Sequence, residues 1–200
     1  NINLIKNNIL RFFNIEYLYC MKIYSLKNKM INDSFFMEEI KKEDINRLNL
    51  VFKYRGEKYK KKVKEYLDKP DEFIGLFIYD NNSDVSAYTC WIRTKSFYES
   101  KIRRNIKLSC NEAFFTDAYC VPEYRGNGLH SYMMKERINY CFNNNINQAY
   151  IVIQAFNTPA LKVAKRLKYK KMSTSIIYNK GSIIYYSKAF IKKILLRIAS

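Results

Sequence analysis

The sequence predicts a mixed α/β (α+β) fold, with one sheet built from both hairpins and strand–helix–strand units and helices on both of its faces. Three observations predict it. Short runs rich in aromatic and β-branched residues recur at 35–40, 72–79, 85–93, 111–121, 148–155, 171–178 and 182–187. Some neighbouring runs are separated only by turn residues, Asp80-Asn81-Asn82-Ser83-Asp84 and Asn179-Lys180-Gly181, and so read as hairpins. Others enclose segments of helical character: 43–52 with Ile45, Leu48 and Phe52, 57–67 ended by Pro70, 128–142 with Met134, Ile138 and Cys141, and 158–167. The order is strand, two helices, three strands, helix, strand, helix, two strands. Such mixing of hairpins with crossovers calls for a mixed sheet.

Outside these runs the pattern changes. Residues 1–34 are apolar and basic; Ile5, Ile9, Phe12 and Phe13 recur at helical spacing, and 15–26 is compatible with strand or helix. We read 1–34 as an extension packed on a domain spanning 35–187, with contact to a membrane surface or partner as the alternative. Residues 188–200 form a basic amphipathic tail. No repeat or low-complexity linker divides 35–187.

With 48% hydrophobic residues, 18 Tyr and 13 Phe among 200 residues, the chain can bury a sizeable core, which excludes a disordered protein. Its net charge is +18, from 36 basic and 18 acidic residues, and such a surface attracts anions. Lysine here is abundant together with Asn, Ile and Tyr, a coding bias that explains the charge better than a nucleic-acid footprint does. The five cysteines, Cys20, Cys90, Cys110, Cys120 and Cys141, show neither paired nor metal-ligand spacing. Reduced thiols in a cytoplasmic protein without a metal are therefore expected. No run approaches the roughly 20 apolar residues of a membrane span, and the first residues, beginning at Asn1, do not read as a signal peptide.

The chemistry concentrates at 117–130, Asp117-Ala118-Tyr119-Cys120-Val121-Pro122-Glu123-Tyr124-Arg125-Gly126-Asn127-Gly128-Leu129-His130. Two of only five glycines stand here, between a strand and a helix. Glycine lets backbone N–H groups approach a ligand closely, and the following helix adds unpaired N–H groups and the positive end of its dipole. Together they suit a pyrophosphate. A tight strand-to-helix turn would use the same two glycines.

The wider run resembles the acetyl-CoA-binding motif of the GNAT acetyltransferases, Q/R-x-x-G-x-G/A. Arg125, Gly126, Asn127, Gly128, Leu129 and His130 occupy its positions, with His130 departing from the usual small residue. Asn157-Thr158-Pro159-Ala160 is similar to the N-x-x-A that opens the family's next helix, and Leu167-Lys168-Tyr169 is a weaker match to its Leu-Gly-Phe ending. The resemblance covers 35–186, strongest over 112–169. It implies a mostly antiparallel sheet in which two parallel strands splay to admit the cofactor arm.

The resemblance also implies roles. Acetyl-CoA would be the acyl donor, with the backbone at Ala118 and Cys120 holding the pantetheine amides. The amides from Arg125 through Gly126, Asn127, Gly128, Leu129 and His130 to Ser131 would hold the pyrophosphate, and Asn157 would order the strand or bind the arm. Direct transfer to an amine needs a general base and a donor for the developing oxyanion. Glu112 matches a glutamate that serves as base in some members and is preferred; Asp117 is the second candidate. Where many members carry a tyrosine acid this chain has Ala164, leaving water, Tyr169 or no specific acid. His130 reads as a packing or phosphate contact and Trp91 as core, with Tyr88, Phe97 and Tyr98 as possible lining of the acceptor side. The basic run 58–64 reads as a solvated helix face, although the family's first two helices border the acceptor.

The expected activity is N-acetylation of a small-molecule primary amine, an anionic one such as an amino-sugar nucleotide being attractive. The alternatives are a protein N-acetyltransferase, disfavoured for lysine-rich tails by the +18 charge, and a non-catalytic acyl-CoA- or nucleic-acid-binding module. The apolar termini offer surfaces on which a homodimer could form, while the sequence alone does not set the oligomeric state.

Overall fold

The computed structural model describes residues 13–27, 34–178 and 183–186. The expected tail 188–200 and the helical spacing before Phe13 lie outside the described residues. The chain forms two compact units, residues 22–95 with 108–149, and residues 1–21 with 96–107 and 150–200.

The first unit holds strands β2 (Phe35–Glu39), β3 (Phe73–Asp80), β4 (Val85–Arg93) and β7 (Glu112–Cys120), ordered β2-β3-β4-β7. Each neighbouring pair is antiparallel. The first expected helix starts as a 3-10 segment, Lys42–Leu48, where the Asp44 carboxylate accepts the Lys41 N–H at 2.8 Å. It continues as α1 (Asn49–Arg55). Gly56, at φ 75°, ends α1 and lets α2 (Glu57–Leu67) leave in a new direction. Val51 and Phe52 of α1, and Tyr59, Val63 and Tyr66 of α2, pack with Phe73, Phe77 and Trp91. Trp91 is fully buried, as expected of a core residue, and donates to Tyr59 Oη at 3.3 Å.

Cys90, next to Trp91, points to the opposite face. There α3 (Leu129–Asn143) buries Met133, Met134, Arg137, Ile138 and Cys141. Helices therefore cover both faces of this sheet, and β7 with its following loop feeds α3.

The second unit holds β1 (Phe13–Lys22), β8 (Gln148–Gln154), β9 (Lys170–Tyr178) and β10 (Ile183–Tyr186), ordered β10-β9-β1-β8. β8 and β9 follow one another in the chain, joined by α4 (Thr158–Arg166), yet β1 lies between them. β1 runs antiparallel to β9, with Glu16 opposite Ser175 and Leu18 opposite Ser173. Residues 15–26, compatible beforehand with either helix or strand, are thus largely strand. The basic connection after β4 contains a two-stranded ribbon, β5 (Phe97–Glu99) and β6 (Arg104–Ile106), absent from the sequence reading. No helix among the described residues is long and apolar enough to cross a membrane.

Candidate active site

β7 is not a regular strand. Tyr119 pairs with Thr89 and Thr116 with Trp91, so Asp117 and Ala118 together stand opposite Cys90. This is a β-bulge, and Asp117 sits in it at φ 47°. Aspartate is among the few non-glycine residues that tolerate this region. The bulge turns the carboxylate onto the face carrying α1 and α2. There Tyr66 Oη donates at 2.7 Å and Lys62 Nζ at 2.8 Å, and Arg55 Nη2 stands 3.5 Å away. The Arg55 guanidinium lies 3.7 Å from the ring centre of Tyr59 and 5.4 Å from that of Tyr119. Burial alone would raise the Asp117 pKa, but Lys62, Tyr66 and Arg55 overcome it and hold the carboxyl below its ordinary range. Burial and the neighbouring Asp117 push the Tyr66 hydroxyl up, so it remains a donor. The result is an ionised carboxylate between two cations, walled by tyrosine rings.

After β7 the chain turns through a 3-10 segment, Pro122–Tyr124. Tyr124 Oη donates to Asp80 at 3.2 Å, and Tyr54 donates to Glu123, so both the β3–β4 turn and α1 fasten the segment. Arg125 Nε donates to Cys120 O at 3.3 Å and Asn127 Nδ2 to Tyr124 O at 3.1 Å. Gly126 and Gly128 then adopt φ 90° and 75°, and a Cβ built on either would meet nothing within 4 Å. The helical bonding begins with Tyr132 N–H on Gly128 O at 3.1 Å, so the amides of Leu129, His130 and Ser131 lack an acceptor within the helix. Open space over two glycines beside a helix N-terminus suits an anionic group such as a pyrophosphate.

His130 turns inward from this first turn. Its Nδ1 lies 2.6 Å from Tyr88 Oη on β4. Burial first, and Arg137 second, lower its pKa to about 4, so the ring is neutral at pH 7, with one nitrogen a donor and the other an acceptor. Arg137 is itself fully buried, with its guanidinium 4.7 Å from the Phe115 ring centre, and its Nε and Nη1 have no hydrogen-bond partner among the described residues.

Glu112 opens β7, where its Oε2 accepts from Ser109 N–H (3.0 Å) and Oγ (2.8 Å), and its Oε1 from Gln148 Nε2 (2.8 Å). Five strand steps separate Glu112 from Asp117, about 16 Å at roughly 3.3 Å per residue, so one acceptor nitrogen cannot touch both. In the second unit, Asn157 caps α4, its Oδ1 accepting from Ala160 N–H at 3.3 Å. Ala164 and Tyr169 are buried, Phe97 is half-buried and Tyr98 exposed. Tyr88, also fully buried, belongs to the core. Among the described residues no cluster of three His, Cys, Asp or Glu side chains is arranged to hold a metal.

The sequence profile of the acetyltransferase (GNAT) family matches residues 39–169. The chain belongs to the GNAT family. Its fold is similar to that of a GCN5-related N-acetyltransferase from Sphaerobacter thermophilus, with TM-score 0.61, 8% identity, and coverage of 88% of this chain and 55% of that one. It is similar to a GCN5-related glucosamine N-acetyltransferase region of a fungal multi-domain GH3 β-N-acetylglucosaminidase, at TM-score 0.58, 11% identity, 92% of this chain and 22% of that one. It is also similar to the ribosomal-protein-S18-alanine N-acetyltransferase of Escherichia coli, at TM-score 0.53, 11% identity, and 70% and 79% coverage. This chain spans 55% of the length of the Sphaerobacter thermophilus protein and 22% of that of the fungal one. A search of curated protein sequences gave no match.

In this GNAT chain three features of the site were missed by sequence reasoning. The bulge at Asp117 left no signal beyond an aspartate in an apolar strand. Lys62 lies within a run of lysines, and only its place four residues before the core residue Tyr66 sets it on the flank nearest the sheet. The Tyr88–His130 bond joins residues 42 positions apart.

Proposed function

We propose that this chain is an acyl-CoA-dependent N-acetyltransferase that acts on the primary amine of a small, negatively charged molecule. Acetyl-CoA supplies an activated acyl group as a thioester. The observation that carries the reading is the loop after β7, where two positive-φ glycines and the first amides of α3 form an open anion cradle. Arg125 and the amides from Gly126 to Ser131 hold the pyrophosphate, and the backbone at Ala118 and Cys120 holds the pantetheine arm. Asn157, by capping α4, orders the turn that follows β8. Arg55 and Lys62 outnumber Asp117 in charge, +2 against −1, and this surplus favours an acceptor carrying a phosphate or carboxylate. An amino-sugar nucleotide is the first acceptor to try. Asp117, ionised and paired, holds charge, and Glu112, oriented by Ser109 and Gln148, takes the amine proton through water. The five free thiols favour a reducing, cytoplasmic location.

The test is thermal unfolding with and without acetyl-CoA, for the wild type and Gly128→Trp, followed by thiol release with a panel of amines. Acetyl-CoA at 100 times its dissociation constant stabilises the fold by about 2.7 kcal/mol, and filling the cradle removes that gain. A wild type with no shift, or a shift that survives in the variant, overturns the assignment of the loop. Turnover with neutral amines but not anionic ones overturns the acceptor class.

A further inference from the structure

α2 carries five lysines in a row of seven residues, Lys58, Lys60, Lys61, Lys62 and Lys64. Lys60 pairs with Glu57 on its own helix, at 3.9 Å. Lys62 instead reaches the sheet, with its Nζ 2.8 Å from Asp117 Oδ2. That carboxylate is turned towards α2 only because the bulge gives Asp117 its positive φ, and Ala118 follows it directly. Tyr66 donates to the same oxygen and Arg55 stands on the other. A primary ammonium is thus seated on an ionised carboxylate, one residue before Ala118, whose backbone the proposed function assigns to the thioester-bearing pantetheine arm. About half of the Lys62 side chain is exposed (46%), so it can leave the carboxylate by rotation.

We propose that Lys62 is itself an acceptor, and that the chain N-acetylates this side chain. The inference rests on the proposed acetyl-CoA site. The Lys62 ammonium first loses a proton to water, because only the neutral amine attacks. The Nζ lone pair then forms a bond to the thioester carbonyl carbon, the carbon–sulfur bond breaks, and the electron pair leaves with sulfur. The second Nζ proton ends on the CoA thiolate, directly or through water. The products are an uncharged acetyl-lysine and free CoA, with nothing oxidised or reduced.

The modification changes the site. The three charged groups sum to +1 before it, from Arg55, Lys62 and Asp117, and to zero after it. The carboxylate keeps Arg55 and Tyr66 but loses its nearest cation. Acetylated chains therefore bind anionic acceptors less well, and self-acetylation limits the enzyme when other acceptors are scarce.

The experiment incubates the full chain with acetyl-CoA, follows intact mass, and maps acetyl groups by peptide sequencing. Lys58, Lys61 and Lys64 on the same helix report spontaneous acylation in the same tube. A lysine held beside the thioester gains from proximity, so labelling of Lys62 is expected on the order of tenfold faster than at these neighbours. Its rate per chain should not change on dilution, and Gly128→Trp should bring it down to theirs. Lys62→Arg should keep the acetyl-CoA thermal shift and lose the rapid label. Equal labelling along the helix overturns the proposal, as does a thermal shift without label at Lys62, which leaves the acetyl-CoA site standing. Absence of any thermal shift overturns the site and this inference with it.

Discussion

Tyr88 Oη and His130 Nδ1 share a hydrogen bond of 2.6 Å that pins the first turn of the loop-borne helix α3 to the middle of β4. The chain's only histidine thus holds the start of α3, after the two glycines, against the sheet. Burial, with Arg137 adding to it, lowers its folded pKa to about 4 from 6.5. Between these values the unfolded chain binds more protons than the folded one, so stability falls as pH falls. The stabilisation is complete above pH 6.5 and is lost progressively towards pH 4, up to about 3 kcal/mol. His130→Gln keeps a hydrogen-bonding side chain for Tyr88, able to donate or accept, without the titration. Urea unfolding of both proteins from pH 7.5 to 4.5 should show their difference narrowing or reversing in acid; a constant difference would overturn this.

Glu16 has the opposite slope. It is buried on β1 opposite Ser175, and burial raises its pKa to about 7, with Glu99 adding to the rise and Lys101 opposing it. Here the folded chain binds more protons than the unfolded one between pH 4.5 and 7. The contribution is complete below pH 4.5 and is lost as pH rises through 7, by about 1–3 kcal/mol. Glu16→Gln should therefore gain stability over the wild type at pH 8 and not at pH 4.5. Because the two slopes oppose, each is read from its own variant and not from the wild-type profile.

Glu16 also marks where sequence reasoning stopped. Elements whose ends carry their own chemical signal were legible, such as α2 between Gly56 and Pro70, or the hairpin at Asp80–Asp84. The glycine turn from β7 into α3 was legible for the same reason, since glycine spacing next to a helix is local. The insertion of β1 between β8 and β9 is not local. Residues 15–26 can form either element, and their partner, β9, lies some 150 positions away. The charged seat at Asp117 is likewise assembled from α1, α2 and a bulge. Tyr66 and Asp117 are 51 positions apart, and no spacing in the sequence relates them.

Gly75 tests the core beneath that seat. A Cβ there would lie 2.7 Å from Trp91 Cζ3 and 2.8 Å from Cη2, with Ile40 Cβ at 3.0 Å. Trp91 is fully buried, lies tilted against Tyr66 with ring centres 4.9 Å apart, and bonds to Tyr59, so the indole cannot retreat without moving α2. Gly75→Ala should cost about 1–3 kcal/mol as an overpacked core. Because Tyr66 moves with the indole, affinity for the acceptor should weaken while the acetyl-CoA shift persists. Equal stability to the wild type, by chemical unfolding, would mean that the indole has room.

Glu112 carries the proton in the proposed reaction, and its surroundings allow a clean test. Ser109 fills one carboxylate oxygen with two donors and Gln148 fills the other. Glu112→Gln can keep the Ser109 bonds through its carbonyl oxygen, but it sets an NH2 group against that of Gln148, at a cost of about 1 kcal/mol. The fold and the acetyl-CoA shift should therefore survive. Turnover at pH 7 should fall by about 10²–10⁴, the range that general-base removal produces, and the acidic limb of the pH–rate profile should vanish. Ser109→Ala, which loosens the carboxylate without removing it, should lower the rate less and retain that limb. If Glu112→Gln turns over at the wild-type rate with the limb intact, the base is another group, and Asp117→Asn becomes the next variant to measure.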